Sequence, residues 1–351
     1  MRLSRRRWLA ALLAILLAPT GLGATPPPKE AGEVRIVLWN VRNFGVSDHF
    51  VAGKRREDIM KPAAEIQSMV AILQALDPDI LAVNEVISAP DDRYVRALSA
   101  LLKRAGLDYP HLATVRGSDD RIQNVLLSRL PLRDIRQLDE DSFTLRRRSA
   151  STGQTLPVEL RPLRGFLYAT AELPDGGELG LVVAHLKSKA REPDIEGPDP
   201  DVPGDEAIRL EETQLLAQAI RRLQADHPDR PLVLLGDLND TPNSASVRLL
   251  AQSVAAPEAE RAALVDLQLT DYHGDRWTHF YFPAKAYNVL DYIWVSPSLR
   301  DRLRPDACFV YRAAETAGPR LVSATASDHR PLVITLKPHA AAGQASSASS
   351  P

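Results

Sequence analysis

Two polar side chains directly follow an apolar run in the segment LGDLNDTPNS, residues 235–244. Asp237 and Asn239 occupy positions i and i+2, so in an extended chain they point to the same side. A carboxylate there can handle a water nucleophile, and a carboxamide can donate a hydrogen bond to a charged substrate oxygen. The spacing indicates a candidate reaction site at a strand end, although Asp and Asn are also ordinary turn formers.

Polar residues also stand at the boundaries of five other apolar runs. They are Asn40 after VRIVLW, Glu85 after DILAVN, His185 after ELGLVVA, Asp291 before YIWVS, and Asp328 with His329 before RPLVITL. Short runs rich in Val, Ile and Leu predict buried strands. Residues 61–76, 92–106 and 206–224 show a helical spacing of apolar side chains instead. This mixture predicts an α/β layered domain, in which the polar strand ends could meet at one rim.

These motifs, taken in order along the chain, resemble the endonuclease/exonuclease/phosphatase superfamily. The resemblance includes WNVRNF, NEV, AHLKSK, GDLND, LDYIWVS and SDHRPLV, and it runs from about Val34 to about Leu336. That superfamily includes pancreatic-type deoxyribonucleases, abasic-site endonucleases, inositol polyphosphate phosphatases and bacterial sphingomyelinases. The resemblance implies a four-layer α/β sandwich, with two packed mixed β-sheets flanked by helices and the site at one edge of the sheets.

The chemistry implied by the resemblance needs a divalent cation. Water must attack an anionic phosphorus, and a cation held by hard oxygen ligands assists that attack. Glu85 is the best candidate ligand, Asn40 offers a neutral oxygen beside it, and Asp328 is a further candidate. Mg²⁺ is the expected ion, with Mn²⁺ and Ca²⁺ as alternatives. Without the other motifs, Glu85 would be interpreted as a helix cap and Asn40 as a turn residue.

The resemblance also suggests roles for two histidines. His329 is expected to be oriented by the carboxylate of Asp291, so that it can take a proton from water or stabilise charge at the phosphate. His185 is similar to the histidine that assists the leaving oxygen in deoxyribonucleases. Asp237 is assigned to the attacking water and Asn239 to a phosphate oxygen. The alternative for each histidine is structural, as a hydrogen-bonded residue at the end of a strand.

Several cations are candidates for substrate binding. Arg164 in LRGFLYA resembles a phosphate-contacting arginine of the superfamily, although the nearby Arg161 could take that role. Lys187 is a further candidate. With Lys189 and the arginines at 146–148, these residues could form a basic groove that grips phosphate groups without reading bases. The run at 146–148 is equally typical of a solvated loop.

The segment WTHFYFPAKAYNVL before Asp291 includes Trp277, His279, Tyr281 and Tyr287. They could supply a ring to a base or a sugar. Their nearly alternate positions are also typical of one face of a strand that packs on a core. The core interpretation is favoured for Trp277 and is weaker for His279.

The chain divides into a signal peptide, a linker, one large domain and a tail. Residues 1–24 have a basic start, an apolar core too short to span a bilayer permanently, and small residues up to Ala24. The arginines at 5–7 leave twin-arginine and general export equally open. Residues 25–33 are expected to be a linker, residues 34–338 the domain, and residues 339–351 a disordered tail. We therefore expect a bacterial protein that is exported to the periplasm or medium without a stable membrane anchor.

The charge of the chain limits how a polyanion could bind. Loss of residues 1–24 would remove four arginines and no acid, changing the formal net charge from −2 to −6. Because an acidic protein does not attract nucleic acid through its bulk charge, local cations or bound metal ions must hold such a substrate. Cys308 is the only cysteine, which excludes an internal disulfide.

The leading hypothesis is an exported metal-dependent phosphodiesterase, foremost an endonuclease that acts on DNA, RNA or both. We expect a monomer with no obligate protein partner. A sphingomyelinase-type lipid phosphodiesterase is an alternative, which the lack of an obvious long apolar hairpin with aromatic residues disfavours. A phosphomonoesterase is another. A catalytically silent binding protein ranks last, because Glu85, His185, Asp237 and His329 are all present.

Overall fold

Two six-stranded sheets form the centre of the computed structural model, which describes residues 26–51, 53–138, 141–149, 151–196, 203–254, 264–312 and 326–339. In spatial order, the strands of the first sheet are β18 (Phe309–Val310), β19 (Leu332–Leu336), β1 (Val34–Phe44), β4 (Ile80–Ile87), β6 (Ile122–Ser128) and β5 (His111–Val115). Those of the second sheet are β14 (Val265–Asp266), β17 (Asp291–Val295), β13 (Leu232–Asp237), β11 (Glu178–His185), β10 (Leu167–Glu172) and β7 (Leu132–Gln137). β1 runs parallel to β4, and β11 runs parallel to β13, while their outer neighbours are antiparallel. Both sheets are therefore mixed.

Helices cover the outer faces of both sheets. They are α1 (Ala63–Leu76) and α2 (Arg93–Arg104) on the first sheet, and α3 (Gly204–Asp226) and α4 (Ala245–Val254) on the second. The helices predicted at 61–76, 92–106 and 206–224 correspond to α1, α2 and α3. Short 3₁₀ helices lie at Phe282–Ala284, Pro297–Arg302 and Pro305–Ala307.

Side chains on both faces of each sheet are buried. In β1, Ile36 and Leu38 face the second sheet, whereas Val37 and Trp39 face α1 and α2. This alternation follows from the two-residue period of a strand. The core between the sheets also contains Val183 of β11, and further apolar residues of the second sheet pack on α3 and α4. The order helix, sheet, sheet, helix confirms the four-layer sandwich.

Smaller elements stand outside these layers. A three-stranded sheet of β8 (Phe143–Arg148), β9 (Thr155–Leu160) and β12 (Ile195–Glu196) packs on α3. One hairpin pairs β2 (Val46–Val51) with β3 (Lys54–Met60), and another pairs β15 (His279–Tyr281) with β16 (Ala286–Asn288). The second of these hairpins lies beside the candidate site.

The predicted signal peptide and residues 340–351 of the predicted tail lie outside the described residues. Residues 26–33 of the predicted linker contain no helix or strand, but they lie against the domain. Arg35 donates a hydrogen bond to the carbonyl of Pro27, and the ammonium of Lys29 lies 2.6 Å from Asp79. Across the described parts of the chain, no helix is long and apolar enough to cross a membrane.

Candidate active site

Strand ends from both sheets meet at one edge of the sandwich. The first sheet contributes Asn40 from β1 and Glu85 from β4. In the second sheet, His185 of β11 and Asp291 of β17 both stand beside Asp237 of β13 in the strand register. The amide nitrogen Nδ2 of Asn40 donates a 2.9 Å hydrogen bond to Oδ2 of Asp237, which joins the two sheets.

The backbone leaves the strands here through residues in the left-handed region. Arg42, Asn43, Glu85 and Asn239 have φ angles of 51°, 54°, 62° and 52°. Such conformations are uncommon for residues other than glycine, and they concentrate at functional sites. The pairing of β1 with β4 shifts register between Asn40 and Phe44, so residues 41–43 bulge out of the ladder.

The bulge orients the side chains that face the site. The N–H of Arg42 donates to Oδ1 of Asn40 at 2.9 Å, and the N–H of Asn43 donates to Oε2 of Glu85 at 3.1 Å. The Asn40 amide group therefore turns its nitrogen toward Glu85 Oε1 at 3.0 Å, as well as toward Asp237. In this arrangement Asn40 holds two carboxylates together through its N–H groups.

A buried Asp–His pair lies on the other side of Asp237. Nδ1 of His329 is 2.8 Å from Oδ2 of Asp291, and Nε2 of His329 is 3.8 Å from Oδ2 of Asp237. Burial opposes the charged imidazolium, but the two carboxylates outweigh it and raise the pKa of His329 to about 10. Burial and the charge of Asp291 raise the pKa of Asp237. In the metal-free protein these carboxylates therefore favour the protonated form of His329 at neutral pH.

Unlike His329, His185 is neutral. Its Nε2 is 3.6 Å from Oδ2 of Asp237, and its Nδ1 has no hydrogen-bond partner among the residues that the structure describes. Burial lowers the pKa of His185 well below its usual value, and the charges of Arg164 and His329 add to this effect. A neutral and a charged imidazole thus stand on either side of one carboxylate.

Comparison with known proteins places this arrangement in a family. The family model described as "Endonuclease/Exonuclease/phosphatase family" matches residues 37–329. The chain belongs to this family. No curated protein matches it at the level of sequence.

Solved structures of the endonuclease/exonuclease/phosphatase family share the fold. The 3'-5' exonuclease NExo of Neisseria meningitidis is 18% identical, with 87% of this chain and 100% of that chain covered and a TM-score of 0.52. A variant of the Neisseria 3' phosphatase NExo, bound to a product DNA hairpin, is 19% identical over 87% and 99% of the two chains, with a TM-score of 0.53. The human Nocturnin catalytic domain with bound sulfate is 18% identical over 87% and 94%, with a TM-score of 0.50.

Members of this family are divalent-metal-dependent phosphoric-ester hydrolases, and the residues present fit a cation. Ligand atoms of Glu85, His185 and Asp237 lie within 4.8 Å of one another, as do those of Asp237, Asp291 and His329. Oδ1 of the buried Asp291 also has no hydrogen-bond partner in the described structure. Carboxylate oxygens are the donors that Mg²⁺ prefers. A cation held by Glu85 would offset the negative charge that Glu85 and the neighbouring Asp237 place here.

Asp328 lies close to this cluster and is half-buried. Its Oδ2 is 3.5 Å from Nε of Arg42. Burial opposes its ionisation, but His329 and Arg42 lower the pKa of Asp328 below its usual value. It is therefore an ionised carboxylate, and its role as a metal ligand stays a prediction.

The three predicted substrate-binding residues have different surroundings. Arg164 is buried, and its Nη1 donates to the carbonyl of Leu186 at 3.1 Å. Lys187 is also buried, and its ammonium donates to the carbonyls of Ser188 at 3.0 Å and Ala190 at 2.7 Å. These contacts hold the chain that follows His185.

Arg161 is exposed, and its side chain has no ion-pair partner in the described part of the structure. Of the other cations in the predicted basic groove, Lys189 pairs with Asp240 at 2.8 Å and Arg147 lies 3.8 Å from Asp194. Fewer cations are therefore free to bind phosphate, among the described residues, than the sequence predicted for a basic groove.

Glu212 of α3 was missed by the sequence reasoning. Its fully buried carboxylate accepts hydrogen bonds from the N–H groups of Leu163 at 2.8 Å and Lys187 at 2.6 Å. It thereby fixes the segments that follow β9 and β11. The polar residues within EAIRLEETQ look like a solvated helix face in the sequence, so nothing there marked Glu212 as buried.

Lys61 was also missed, although it supports the bulge after β1. Its ammonium is fully buried and donates to the carbonyl of Arg42 at 3.1 Å and to Oε2 of Glu65 at 2.9 Å. Its backbone N–H donates to the carbonyl of Gly45 at 2.9 Å. Lys61 therefore holds both ends of the segment that orients Asn40 and supplies the N–H bound to Glu85.

Replacing Lys61 with methionine should raise the Mg²⁺ concentration needed for half-maximal activity about tenfold. The apolar side chain leaves the Arg42 carbonyl and the Glu65 carboxylate unpaired, a change that costs about 3 to 5 kcal/mol for a buried ion pair. A metal titration of the hydrolysis rate, run well below the Tm of the variant, measures the effect. Lys103→Met removes an exposed ion pair and should leave the titration unchanged. An unaltered metal requirement in Lys61→Met would contradict this role.

The pKa of His329 predicts how the stability of the metal-free protein depends on pH. Because folding raises this pKa from 6.5 to about 10, the stabilisation is fully present below pH 6.5 and is lost as the pH rises through 10. The Tm of chelator-treated protein should fall between pH 7 and pH 10. In His329→Gln the fall should be smaller by about 5 °C or more. Parallel Tm profiles for the two proteins would show that His329 is not responsible.

Proposed function

We propose that this protein is an exported, divalent-metal-dependent endonuclease that hydrolyses phosphodiester bonds in DNA, RNA or both. The main support is the arrangement of a neutral His185 and a protonated His329 on either side of Asp237, at 3.6 Å and 3.8 Å. Diester hydrolysis requires a group for the attacking water, a group for phosphate charge and a group for the leaving oxygen. Asp237 can serve the attacking water and His329 the phosphate charge, while the neutral His185 can offer the leaving oxygen a hydrogen bond from its ring N–H.

Each residue has a task that its contacts allow. When bound, a divalent cation supplies positive charge at the phosphate and a more acidic water. Asp237, whose pKa is raised, can accept a proton from the attacking water. His329 carries a positive charge toward the phosphate, and Asp291 holds its ring. Asn239 uses Nδ2 for the Leu186 carbonyl at 3.0 Å, which leaves its second amide hydrogen for a phosphate oxygen.

The balance of charge favours a diester over a monoester. A phosphate monoester carries nearly two negative charges at pH 7, whereas a diester carries one. Apart from His329, the nearby arginines have partners, since Arg42 lies 3.5 Å from Asp328 and Nη1 of Arg164 donates to the Leu186 carbonyl, while Nε of Arg164 has no hydrogen-bond partner among the described residues. A site with so few available cations suits the less highly charged substrate.

A lipid phosphodiesterase is the second candidate, and one observation favours it. The hairpin of β15 and β16 is short, but it exposes Tyr281 and Tyr287, and Phe282 at its tip is also exposed. Exposed aromatic residues are common where proteins meet membranes. The sequence showed no long hairpin of this kind. Because the short hairpin exposes aromatic residues, lipid substrates belong in the cleavage assay.

A parallel cleavage assay tests the proposal. Purified protein is incubated with supercoiled plasmid, linear DNA, RNA and sphingomyelin vesicles, each with Mg²⁺, Mn²⁺ or chelator. We expect metal-dependent nicking of the plasmid that is lost in His185→Ala. Trimming of linear DNA ends without nicking of the plasmid would instead support an enzyme that acts on strand ends. The NExo proteins are named as a 3'-5' exonuclease and a 3' phosphatase. Release of phosphocholine without cleavage of any nucleic acid would overturn the nuclease proposal.

Export is tested separately. The full chain, produced in a bacterium, should appear outside the cytoplasm with a new N-terminus near Thr25, as measured by mass spectrometry. Conversion of Arg6 and Arg7 to lysine should block export only if the twin-arginine route is used. Recovery of the intact chain from the cytoplasm alone would contradict the export proposal.

A further inference from the structure

The hairpin of β15 and β16 is attached directly to the catalytic motif. His279 forms a β-bridge with His329, and the N–H of Phe280 donates to the carbonyl of Asp328 at 2.9 Å. The hairpin therefore begins at the proposed catalytic histidine and extends outward from it. Nothing in the proposed hydrolysis requires the rings that it carries.

One row of rings continues outward from His329. The ring centroids of His329 and His279 are 4.6 Å apart, and those of His279 and Tyr281 are 6.4 Å apart with an interplanar angle of 30°. Tyr281 is 49% exposed. His279 is uncharged at neutral pH, because burial and the nearby His329 lower its pKa to about 4. Beyond His329, the row thus presents an uncharged imidazole and an exposed phenol ring whose planes are inclined by 30°.

The opposite row of rings anchors the hairpin. Phe280 and Tyr287 have centroids 4.8 Å apart, and Tyr287 lies 4.9 Å from Trp277. The guanidinium of Arg330 lies 4.0 Å from the centre of the Trp277 ring and donates to the Trp277 carbonyl at 2.9 Å. Trp277 is half-buried and lies outside the described core clusters, so it does not have the strand-face core position that the sequence favoured. Arg330 and Trp277 therefore pack the base of the hairpin, while Tyr287, which is 62% exposed, stays accessible to solvent like Tyr281.

We propose that His279 and Tyr281 bind an unpaired base next to the scissile phosphate, so that the enzyme prefers single-stranded nucleic acid. This inference rests on the proposed nuclease function. The centroids of the two rings are 6.4 Å apart, close to twice the roughly 3.4 Å spacing of stacked bases, and the ring planes are inclined by 30°. A base that enters between them after a small opening would contact both rings.

The physical chemistry of stacking explains the strand preference. Every base has a flat face, so an aromatic ring binds bases with little regard to sequence, at about 1 to 3 kcal/mol per base. A base in a duplex already stacks on its neighbours and pairs with its partner, so it must be extracted at a cost. Unpaired strands avoid this cost. Nucleic acid is favoured over lipid as the occupant because the row is continuous with the catalytic histidine.

The test compares two substrates in one set of variants. For Tyr281→Ala, we expect the ratio of kcat/KM on a single-stranded oligonucleotide to kcat/KM on bis(p-nitrophenyl) phosphate to fall about tenfold, the effect of losing roughly 1.4 kcal/mol of stacking. Tyr281→Phe keeps the ring and should keep the ratio. Tyr272→Ala removes an exposed tyrosine outside the hairpin and serves as the matched control.

The outcomes separate this inference from the function on which it rests. If the wild-type enzyme cleaves oligonucleotides and the ratio is unchanged in Tyr281→Ala, the base-binding role is wrong while the nuclease proposal stands. If Tyr281→Ala instead weakens binding to sphingomyelin vesicles with an unchanged ratio, the hairpin binds lipid and the inference is overturned. Failure of the wild-type enzyme to cleave any nucleic acid overturns the proposed function itself.

Discussion

Replacement of His329 with alanine should lower kcat about 10³-fold at pH 7, the usual scale for a residue that manages proton or charge in the transition state. The imidazolium contacts Asp291 at 2.8 Å and lies 3.8 Å from Asp237, so its loss leaves two buried carboxylates without their shared cation. Single-turnover cleavage of plasmid, compared with the wild-type enzyme at saturating Mg²⁺, measures the change.

Two further variants show whether the loss reflects chemistry or folding. His227→Ala changes the histidine that follows α3, at the opposite end of β13 from Asp237, and should retain activity. Asp291→Asn keeps the shape of the carboxyl group but removes its charge, so kcat should fall about tenfold or more. Wild-type turnover in a folded His329→Ala enzyme would make the mechanism proposed above untenable.

Removal of divalent cations should lower activity at least about 100-fold, since Lewis-acid charge stabilisation at the phosphate is lost with the ion. Glu85→Gln should weaken the ion's binding, so that about tenfold more Mg²⁺ is needed for half-maximal rate. The glutamine is nearly the same size, but it lacks the charge that attracts the cation. Activity of chelator-treated enzyme across a Mg²⁺ titration gives both quantities.

The matched control for Glu85→Gln is Glu57→Gln, on the exposed strand β3. The Glu57 side chain is 73% exposed and lies 3.9 Å from Arg55. Its substitution changes the net charge of the protein by the same amount, so any effect of overall charge on Mg²⁺ binding appears in both variants. Full activity after thorough metal removal would require the metal role of Glu85 to be abandoned.

The layered fold could be predicted because its signals are local. Runs such as VRIVLW and PLVLLG are apolar on both faces, which indicates strands covered on both sides. The approach of Asn40 to Asp237 could not be predicted this way, because the two residues belong to different sheets and only sheet packing brings them together. The resemblance to the family implied that these residues lie in one site, and the structure gives the distance between Asn40 and Asp237.

The contacts of the buried lysines could not be predicted from the sequence, because they depend on the tertiary structure. Lys187 follows a strand end in the motif HLKSK, which suggested a free phosphate-binding group. Its ammonium instead binds the Ser188 and Ala190 carbonyls. The role of Lys61 was equally hidden, because a single lysine before a helix resembles any solvated residue in the sequence. Long polar side chains reach several ångströms, so their sequence positions do not determine their contacts.

The division of the site between two sheets has a consequence for the cell that makes the enzyme. Asn40 and Glu85 come from one sheet, and His185, Asp237 and Asp291 come from the other. A chain in which the sheets have not yet docked therefore possesses no complete catalyst. If the protein is the nuclease proposed above and leaves the cytoplasm by the general route, as an unfolded chain, the producing cell's own nucleic acids are safe from it without an inhibitor. If it leaves folded through the twin-arginine route, that protection is lost and must come from elsewhere.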